Sequence, residues 1–333
     1  MALQFILGPS GAGKSEYIYE DIIRRTMQDE RENVIVLVPE QYSLEIQRKL
    51  VQKHPRGGSF QIDVIGFNRL AYRIFDELHI KSKKVLEDFG KSMLLRKAAQ
   101  EHKEELSLYA GSLDKAGFID EAKSLMSEIY QYDIPRERLR EALQKLDDSE
   151  EARVLARKLQ DMLVIFDAFE EKKGQSFIVA EQMLELLTAA AEQSEMIAGS
   201  EIVLDGFTGF TPIQLNLISV LLRRAKKVTI VLTIDAATYE KKHVAEHELF
   251  ALTKQTIEHL LLTAEQAHVV VEPALFLGKD GCKRWSKGHP LAHLEQNLFR
   301  YPYRVGKDEE QAITITAYDT PAQELTCLLY TSD

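Results

Sequence analysis

The chain has 333 residues, of which 45% are hydrophobic and 28% charged, and its formal net charge is −10. This composition is typical of a globular protein with one large domain or two smaller ones. No apolar run approaches the roughly 20 residues that a membrane-spanning helix needs, and the N-terminus leaves no room for a signal peptide, so we expect a cytoplasmic protein. The negative charge excludes a protein that coats DNA through a general positive field, which leaves local or shared nucleic-acid contacts.

The first motif is a phosphate-binding loop (P-loop). An apolar strand over residues 3–7 precedes a match to G-x-x-x-x-G-K-[ST], and an amphipathic helix follows from about Lys14. The glycines let backbone N–H groups face the β-phosphate of a nucleotide, Lys14 can reach the outer phosphates, and Ser15 can give one oxygen to Mg²⁺. The alternative, a glycine-rich turn that matches by chance, is disfavoured because strand, loop and helix all agree. The predicted nucleotide-binding residues are Gly8, Pro9, Ser10, Gly11, Ala12, Gly13, Lys14 and Ser15.

Further apolar strands separated by amphipathic helices predict an α/β fold with a parallel sheet. The predicted strands cover residues 33–38, 60–65, 202–204, 228–234 and 268–272. Residues 85–198 contain no β-rich run and predict a helical block, in which Ser176 is expected to cap a helix and another helix is expected over about 244–262 farther on. The predicted domain division is 1–84 for the first half of the α/β domain, 85–198 for a helical insertion, 199–300 for the second half, and 301–333 for the start of a further domain.

A strand that ends in aspartate, in a chain with a P-loop, is the pattern that places a carboxylate beside the Mg²⁺ of a nucleotide. Asp205 ends the strand over 202–204, and we predict it as this ligand together with Ser15. The alternative is a turn aspartate before Gly206 that bonds local N–H groups. Gln214 has two readings, as a phosphate sensor or as the third helical residue of a capping box opened by Thr211.

The last third of the chain carries less specific signals. Residues 278–289 predict an exposed loop, and contact of Arg284, Trp285 and Lys287 with a nucleic-acid single strand is the less favoured alternative. A strand over 313–317 and a helix from about 320 predict that the chain continues into a second α/β domain, because one strand and half a helix cannot bury their own surface. Residues 327–333 resemble a translated sequencing-adapter tail.

The spacing of the P-loop, the helical block and Asp205 indicates a RecA-like P-loop NTPase domain with an inserted all-helical subdomain. Several segments make the sequence similar to the AddB family, the B subunits of bacterial AddAB helicase–nucleases. The segments that carry this resemblance are 5–15, 38–41, 65–73, 205–214 and 314–324. It implies a superfamily-1 helicase-like fold, ATP and Mg²⁺ as ligands, and work at DNA double-strand ends with an AddA-type motor until a Chi sequence is met. Within these segments we predict DNA contacts at Gln41, Phe67 and Arg69.

The same resemblance implies a first domain that does not drive unwinding. A motor of this type needs a glutamate directly after the strand-ending aspartate to orient the attacking water, and this chain has Gly206 there, so slow hydrolysis is expected. The iron–sulfur cluster of the family needs four cysteines in a C-terminal nuclease domain, whereas this chain has only Cys282 and Cys327. The alternatives left open are an active DNA translocase and, less favoured for want of an Arg-rich lid motif, a small-molecule kinase.

Overall fold

The computed structural model describes residues 1–29, 31–81, 83–147, 149–278, 283–286, 288–309 and 311–331. Cys282 and Lys287 lie outside the described residues. The described residues form an α/β unit built on a parallel sheet, together with a helical block that has its own apolar core. The prediction of an α/β protein with a parallel sheet is therefore confirmed.

The strands are short and apolar, and every pairing in the main sheet is parallel. They are β1 (Ala2–Gly8), β2 (Asn33–Leu37), β3 (Ile62–Ile65), β4 (Lys84–Val85), β5 (Phe177–Ile178), β6 (Ser200–Leu204), β7 (Lys227–Thr233), β8 (Val270–Val271) and β9 (Leu275–Phe276). The main sheet has the order β3-β2-β6-β7-β1-β8, and β9 also pairs with β1. The P-loop strand β1 is thus separated from β6, the strand that precedes Asp205, by β7.

Helices cover both faces of the sheet and build the helical block. They are α1 (Lys14–Gln28), α2 (Ser43–Lys53), α3 (Phe67–Glu77), α4 (Asp88–Glu101), α5 (Ala116–Gln131), α6 (Arg136–Gln144), α7 (Glu150–Lys173), α8 (Ala180–Ala191), α9 (Glu195–Ala198), α10 (Pro212–Arg224), α11 (Ala236–Glu240), α12 (Ala251–Gln266), α13 (Pro290–Asn297) and α14 (Pro321–Thr331). In the described part of the chain, no helix has the length and apolar character needed to cross a bilayer.

Alternate residues of the strands point to two apolar cores, because side chains alternate across a sheet. On one face Ile6 of β1 packs in a cluster with Ile22 of α1 and Leu50 of α2. On the other face Phe5 and Leu7 share a larger cluster with the buried sides of α3, α8, α10 and α12. Burial on both faces explains why the strands appear in the sequence as continuous apolar runs.

The helical block has a core of its own, formed mainly by α4, α5 and α7 around Leu95, Met126, Phe166 and Phe169. A two-residue parallel pair, β4 with β5, joins the segment before α4 to the segment after α7. The sequence did not predict this pair. Helices α8 and α9 pack with the sheet core through residues such as Leu187 and Ile197. These two helices thus share the apolar core of the sheet, and the predicted division at residue 198 stays a prediction.

Three local predictions are wrong. Val179, not Ser176, precedes the first residue of α8, because residues 177–178 pair with β4. Residues 313–317 form no strand, which is consistent with the need of a strand for a hydrogen-bonded neighbour, and residues 301–309 and 311–328 are largely exposed. The helix expected over about 244–262 begins only at Ala251. The helix expected after residue 320 is present as α14.

Both edges of the main sheet have features that limit strand pairing. β3 forms one edge, and its central residue Asp63 forms an ion pair with Arg73 of α3. At the other edge two strands of two residues each, β8 and β9, pair with opposite ends of β1. Short edge strands and charged side chains leave little ladder for another strand to extend.

A buried carboxylate fastens the loop after α4 to α7. Asp161 is 2% exposed, and its two oxygens accept hydrogen bonds from the backbone N–H groups of Ser107, Leu108 and Tyr109, each at 2.8 Å. Burial by itself raises the pKa of Asp161, but these backbone hydrogen bonds outweigh it and hold the pKa below its usual value. The charged form is therefore the one that the fold stabilises.

We expect Asp161→Asn to lower the free energy of unfolding at neutral pH by about 3 kcal/mol, because buried N–H groups lose a charged acceptor. Since the folded pKa is depressed, the carboxylate contribution is present above the unfolded value of about 3.9 and is lost as pH falls through the folded value. Urea denaturation at neutral and acidic pH measures this. The control Asp120→Asn, at an exposed site on α5, should change little; an equal loss in both variants would contradict the prediction.

Candidate functional site

The predicted P-loop, residues 8–15, lies at the carboxyl edge of the sheet, directly after β1. Gly11 (φ 71°) and Gly13 (φ 81°) adopt left-handed backbone conformations that other residues rarely take. α1 begins at Lys14, and its N-cap residue Gly13 makes no side-chain cap hydrogen bond. The loop therefore leads directly into a helix N-terminus, whose positive dipole end is the feature that the motif uses to bind an anion.

The Lys14 ammonium is folded over its own loop. Its Nζ atom donates hydrogen bonds to the carbonyl oxygens of Gly8 at 3.0 Å and Pro9 at 2.8 Å. Ser15 follows in the first turn of α1 and is exposed. The loop thus holds the lysine beside the end of the helix, from which a short rotation of the side chain would bring the charge to a bound phosphate.

Asp205 contacts α1 through Tyr19, which lies one helical turn beyond Ser15. The carboxylate is 4% exposed; Oδ2 accepts from Tyr19 Oη at 2.6 Å and Oδ1 from the Gly206 N–H at 2.9 Å. Burial, followed by the Asp205 charge, raises the pKa of Tyr19 strongly, so the phenol stays protonated as the donor. The local N–H bond is the one expected of a turn aspartate. A Mg²⁺ site shared by Asp205 and Ser15 stays a prediction.

Gly206 occupies a backbone conformation that disfavours a glutamate. Its φ is +81°, and a methyl group there would lie 3.4 Å from Pro39 Cδ, an ordinary contact. The obstacle is therefore the backbone angle, which costs a non-glycine residue about 1–2 kcal/mol, rather than lack of space. The position directly after Asp205, where a motor would carry its catalytic glutamate, thus has a backbone angle that favours glycine.

Gln214 has a structural role in the fold. Its Oε1 atom accepts a hydrogen bond from the backbone N–H of Thr211 at 3.0 Å, and Pro212 occupies the first position of α10. This is one half of a capping box, which satisfies an N–H group at the start of the helix. Phosphate sensing by Gln214 stays a prediction.

Two of the motifs behind the family resemblance form one structural unit. The Glu40 carboxylate, just after β2, accepts a hydrogen bond from the backbone N–H of Asn68 at 3.0 Å and so caps α3. It lies where a side chain at Gly66 would be, because a methyl group there would approach Glu40 Cδ to 2.2 Å. The glycine in the segment 65–73 therefore leaves the space that the glutamate of the segment 38–41 occupies.

A row of aromatic rings joins a third motif to this unit. Phe67 packs on Phe207 with ring centroids 5.4 Å apart, and Phe207 packs on Phe210 at 5.3 Å. These rings are half-buried against the sheet core, whereas Gln41 and Arg69 are exposed. We call Gln41, Phe67, Arg69 and Phe207 the strand-end surface, since all four follow the carboxyl ends of β2, β3 or β6. Gln41 and Arg69 are accessible to a ligand, whereas Phe67 packs on Phe207 and the sheet core.

Sequence reasoning missed a group of charges beside the P-loop. Asp235 follows β7, where the Ile234 N–H donates to the Gly8 carbonyl at 3.1 Å, and the Asp235 carboxylate forms an ion pair with Arg300 at 3.0 Å. Burial raises the pKa of Glu295 on α13; the Arg300 and Lys14 charges oppose this rise and the Asp235 charge adds to it. The sequence signal that could have indicated this group was the start of α13, where Pro290 takes the first helical position after His289. The His289 ring accepts a hydrogen bond from the Leu291 N–H.

Within the described ranges, no group of three or more His, Cys, Asp or Glu residues could hold a metal ion. With a P-loop helix on one side and the strand-end surface on the other, the carboxyl edge of the sheet carries both candidate sites.

The family model described as "ADDB, N-terminal" matches residues 5–295. The chain belongs to the AddB N-terminal family. A relative from Lachnoclostridium phytofermentans is 38% identical over 328 residues, which cover 97% of this chain and 28% of that protein. Relatives from Clostridium kluyveri (33% over 316 residues; 95% of this chain and 27% of that protein) and Clostridioides difficile (31% over 328 residues; 98% and 28%) are similar. All three are named as B subunits of an ATP-dependent helicase/deoxyribonuclease.

The resemblance to AddB proteins drawn from the sequence is thus confirmed. The AddB N-terminal match includes the P-loop, the strand-end surface and Glu295, and it ends before Arg300. The chain spans little more than a quarter of the length of these relatives.

Proposed function

We propose that this chain is the nucleotide-binding, helicase-like N-terminal region of an AddB-type subunit that resects DNA double-strand ends with an AddA-type motor in the bacterial cytoplasm, for recombinational repair under control of Chi sequences. The observation that carries the proposal is a loop with the P-loop sequence between β1 and the amphipathic helix α1, in a chain of the AddB N-terminal family. In the longer protein, the nuclease and its iron–sulfur cluster would come from other domains.

Nucleotide binding is supported by the loop geometry and the sheet order. A strand, β7, lies between the P-loop strand and the strand that ends at Asp205, which suits a RecA-like domain in which both strand ends face one nucleotide. ATP would be held by the backbone of residues 8–15 and by Lys14, and Mg²⁺ by Ser15 with Asp205 close to it. When bound, the metal would neutralise phosphate charge.

A regulatory rather than a driving use of the nucleotide is supported by Gly206. No carboxylate follows Asp205, and the positive φ at this position disfavours one. Of the acids beside the P-loop, Asp235 is committed to Arg300 and to the N-terminus of α11, where it accepts the Thr238 N–H at 2.6 Å. The subunit would then hold ATP while its partner supplies the motion.

One observation favours a second candidate, an active DNA translocase. Burial raises the pKa of Glu295 on α13 while the Lys14 charge opposes this rise, so a carboxylate that does not follow Asp205 lies near the P-loop lysine. ATP turnover stimulated by single-stranded DNA, measured on the full-length subunit without its partner, would support this candidate. Such turnover, lost in both Lys14→Ala and Glu295→Gln, would replace the proposed role.

The DNA-contacting part of the proposal is tested by Arg69→Ala in the full-length subunit with its partner. We expect the affinity for single-stranded DNA to fall about fivefold to tenfold, because one exposed guanidinium contact with a phosphate or base edge is lost. Fluorescence anisotropy with a labelled oligonucleotide, at fixed salt concentration, measures the change.

The matched control is Arg31→Ala. Arg31 is exposed and precedes β2, so it lies at the amino edge of the sheet, opposite Arg69. An equal loss in both variants would show an effect of net charge alone, and no loss in Arg69→Ala would remove the strand-end surface from the DNA path.

A further inference from the structure

Two described parts of the segment after β9, residues 277–278 and residues 283–284, contact the P-loop. The Leu277 N–H donates to the Leu7 carbonyl at 2.8 Å, and a methyl group on Gly8 would lie 2.4 Å from the Leu277 oxygen. Gly278 adopts φ +79°, and a methyl group there would lie 2.8 Å from Ala12 Cβ. One end of the segment is thus fitted closely to the loop.

The other end of the segment reaches the start of α1. The backbone N–H groups of Lys283 and Arg284 both donate to the Gly11 carbonyl, at 3.0 and 3.2 Å. The Lys283 stem crosses Gly13, where a methyl group would lie 3.2 Å from Lys283 Cδ. Residues 283–284 therefore form a second wall of the phosphate site, whereas the sequence indicated only an exposed loop.

The charges around this wall leave one cation without a described partner. Asp235 is paired with Arg300, and Glu295 lies within reach of Lys14. The Arg284 guanidinium lies over the Trp285 ring, 5.8 Å from its centroid. Across the ranges that the structure describes, the Lys283 ammonium has neither a hydrogen-bond acceptor nor a carboxylate partner.

We propose that Lys283 is a second phosphate-binding lysine of the nucleotide site, which meets the terminal phosphates of a nucleoside triphosphate from the side opposite to Lys14. The inference rests on the proposed nucleotide binding and adds a residue that the P-loop motif does not contain. The Asp235–Arg300 pair is electrically balanced, so the negative charge of a triphosphate needs a further cation beside Lys14. Lys283 supplies it from a stem already aligned with the helix N-terminus.

The test is an equilibrium titration of the chain with a fluorescent ATP analogue and Mg²⁺, followed by competition with unlabelled ATP and ADP. We expect Lys283→Ala to weaken ATP binding about tenfold, the low end expected for loss of a charge-assisted hydrogen bond at an exposed site. ADP should lose less, because it carries less charge, and Lys283→Arg should recover most of the affinity. The melting temperature should not change, since Lys283 is exposed.

The control is Lys49→Ala, which removes an exposed lysine of α2 that pairs with Glu45; its affinity for ATP should match that of the unchanged chain. Unchanged ATP affinity in Lys283→Ala, with clear loss in Lys14→Ala, would overturn this inference and leave nucleotide binding standing. Tighter binding would also overturn it, by showing that the segment obstructs the site. Lost affinity for single-stranded DNA with ATP binding intact would assign Lys283 to DNA instead. No binding of ATP by the unchanged chain would overturn the proposed function as well.

Discussion

Replacing Lys14 with alanine is expected to lower the affinity of the chain for Mg²⁺–ATP by about tenfold to a hundredfold. In the unchanged chain the Lys14 ammonium bonds the carbonyls of Gly8 and Pro9, and we expect it to move to the phosphates when ATP binds. The substitution removes this contact, and a hydrogen bond to a charged group contributes about 1.5–3 kcal/mol. Isothermal titration with ATP and Mg²⁺ measures the loss. Because Lys14 is half-buried and belongs to none of the apolar cores, circular dichroism should show an unchanged fold.

The same substitution separates a holder of nucleotide from a motor. In the full-length subunit combined with its partner, we expect unwinding of a blunt DNA duplex to continue at close to its normal rate, because Gly206 leaves the site without the glutamate that hydrolysis requires. The companion measurement replaces the P-loop lysine of the partner, which should abolish unwinding. Loss of most unwinding from Lys14→Ala would establish this subunit as a motor and end the proposal.

The largest effect on stability is expected at Lys91, where a buried ion pair joins the helical block to the sheet core. Lys91 of α4 and Glu181 of α8 are 4% and 8% exposed; Lys91 Nζ lies 3.1 Å from Glu181 Oε2 and 3.4 Å from Ser127 Oγ. Lys91→Met leaves a buried carboxylate without its cation and should lower the free energy of unfolding by about 3–5 kcal/mol. Urea denaturation followed by circular dichroism measures it.

Two further variants identify the cause. Lys91→Met combined with Glu181→Leu should recover most of the loss, because an apolar pair of similar volume replaces two buried charges at little net cost. Lys97→Met, on an exposed face of the same helix, should cost less than about 0.5 kcal/mol. If the double variant is no more stable than Lys91→Met alone, packing rather than the buried charge explains the loss.

Elements that rest on local pattern could be predicted from the sequence. The P-loop, its helix and the buried strands appear because glycine spacing, apolar runs and capping residues act over a few neighbouring residues. β4 and β5 could not be predicted, because two residues are too few to show an apolar pattern. These strands form only because two segments distant in sequence pair with each other. The segment 313–317 shows the opposite case, because its strand pattern finds no pairing strand among the residues that the structure describes.

The candidate site shows the same difference between features set by local sequence and features set by tertiary contacts. The presence of Asp205 at a strand end could be predicted, but its bond to Tyr19 depends on how α1 crosses the sheet, a tertiary feature. The contact of Glu40 with Gly66 joins positions 26 residues apart, and no single-sequence rule pairs them. Arg300 and Lys283 reach the P-loop only through the fold of α13 and the segment after β9.

The edges of the main sheet bear on how this part of the chain behaves in concentrated solution. Parallel sheets form slowly and expose unpaired strands while they form, so an open edge is a site of aggregation. The Asp63–Arg73 pair on β3 places charge at one edge, and the break between β8 and β9 leaves the other without a continuous ladder. A strand from another molecule would have to bury the charge at the first edge and cross a gap at the second. These two devices favour single copies over filaments during folding.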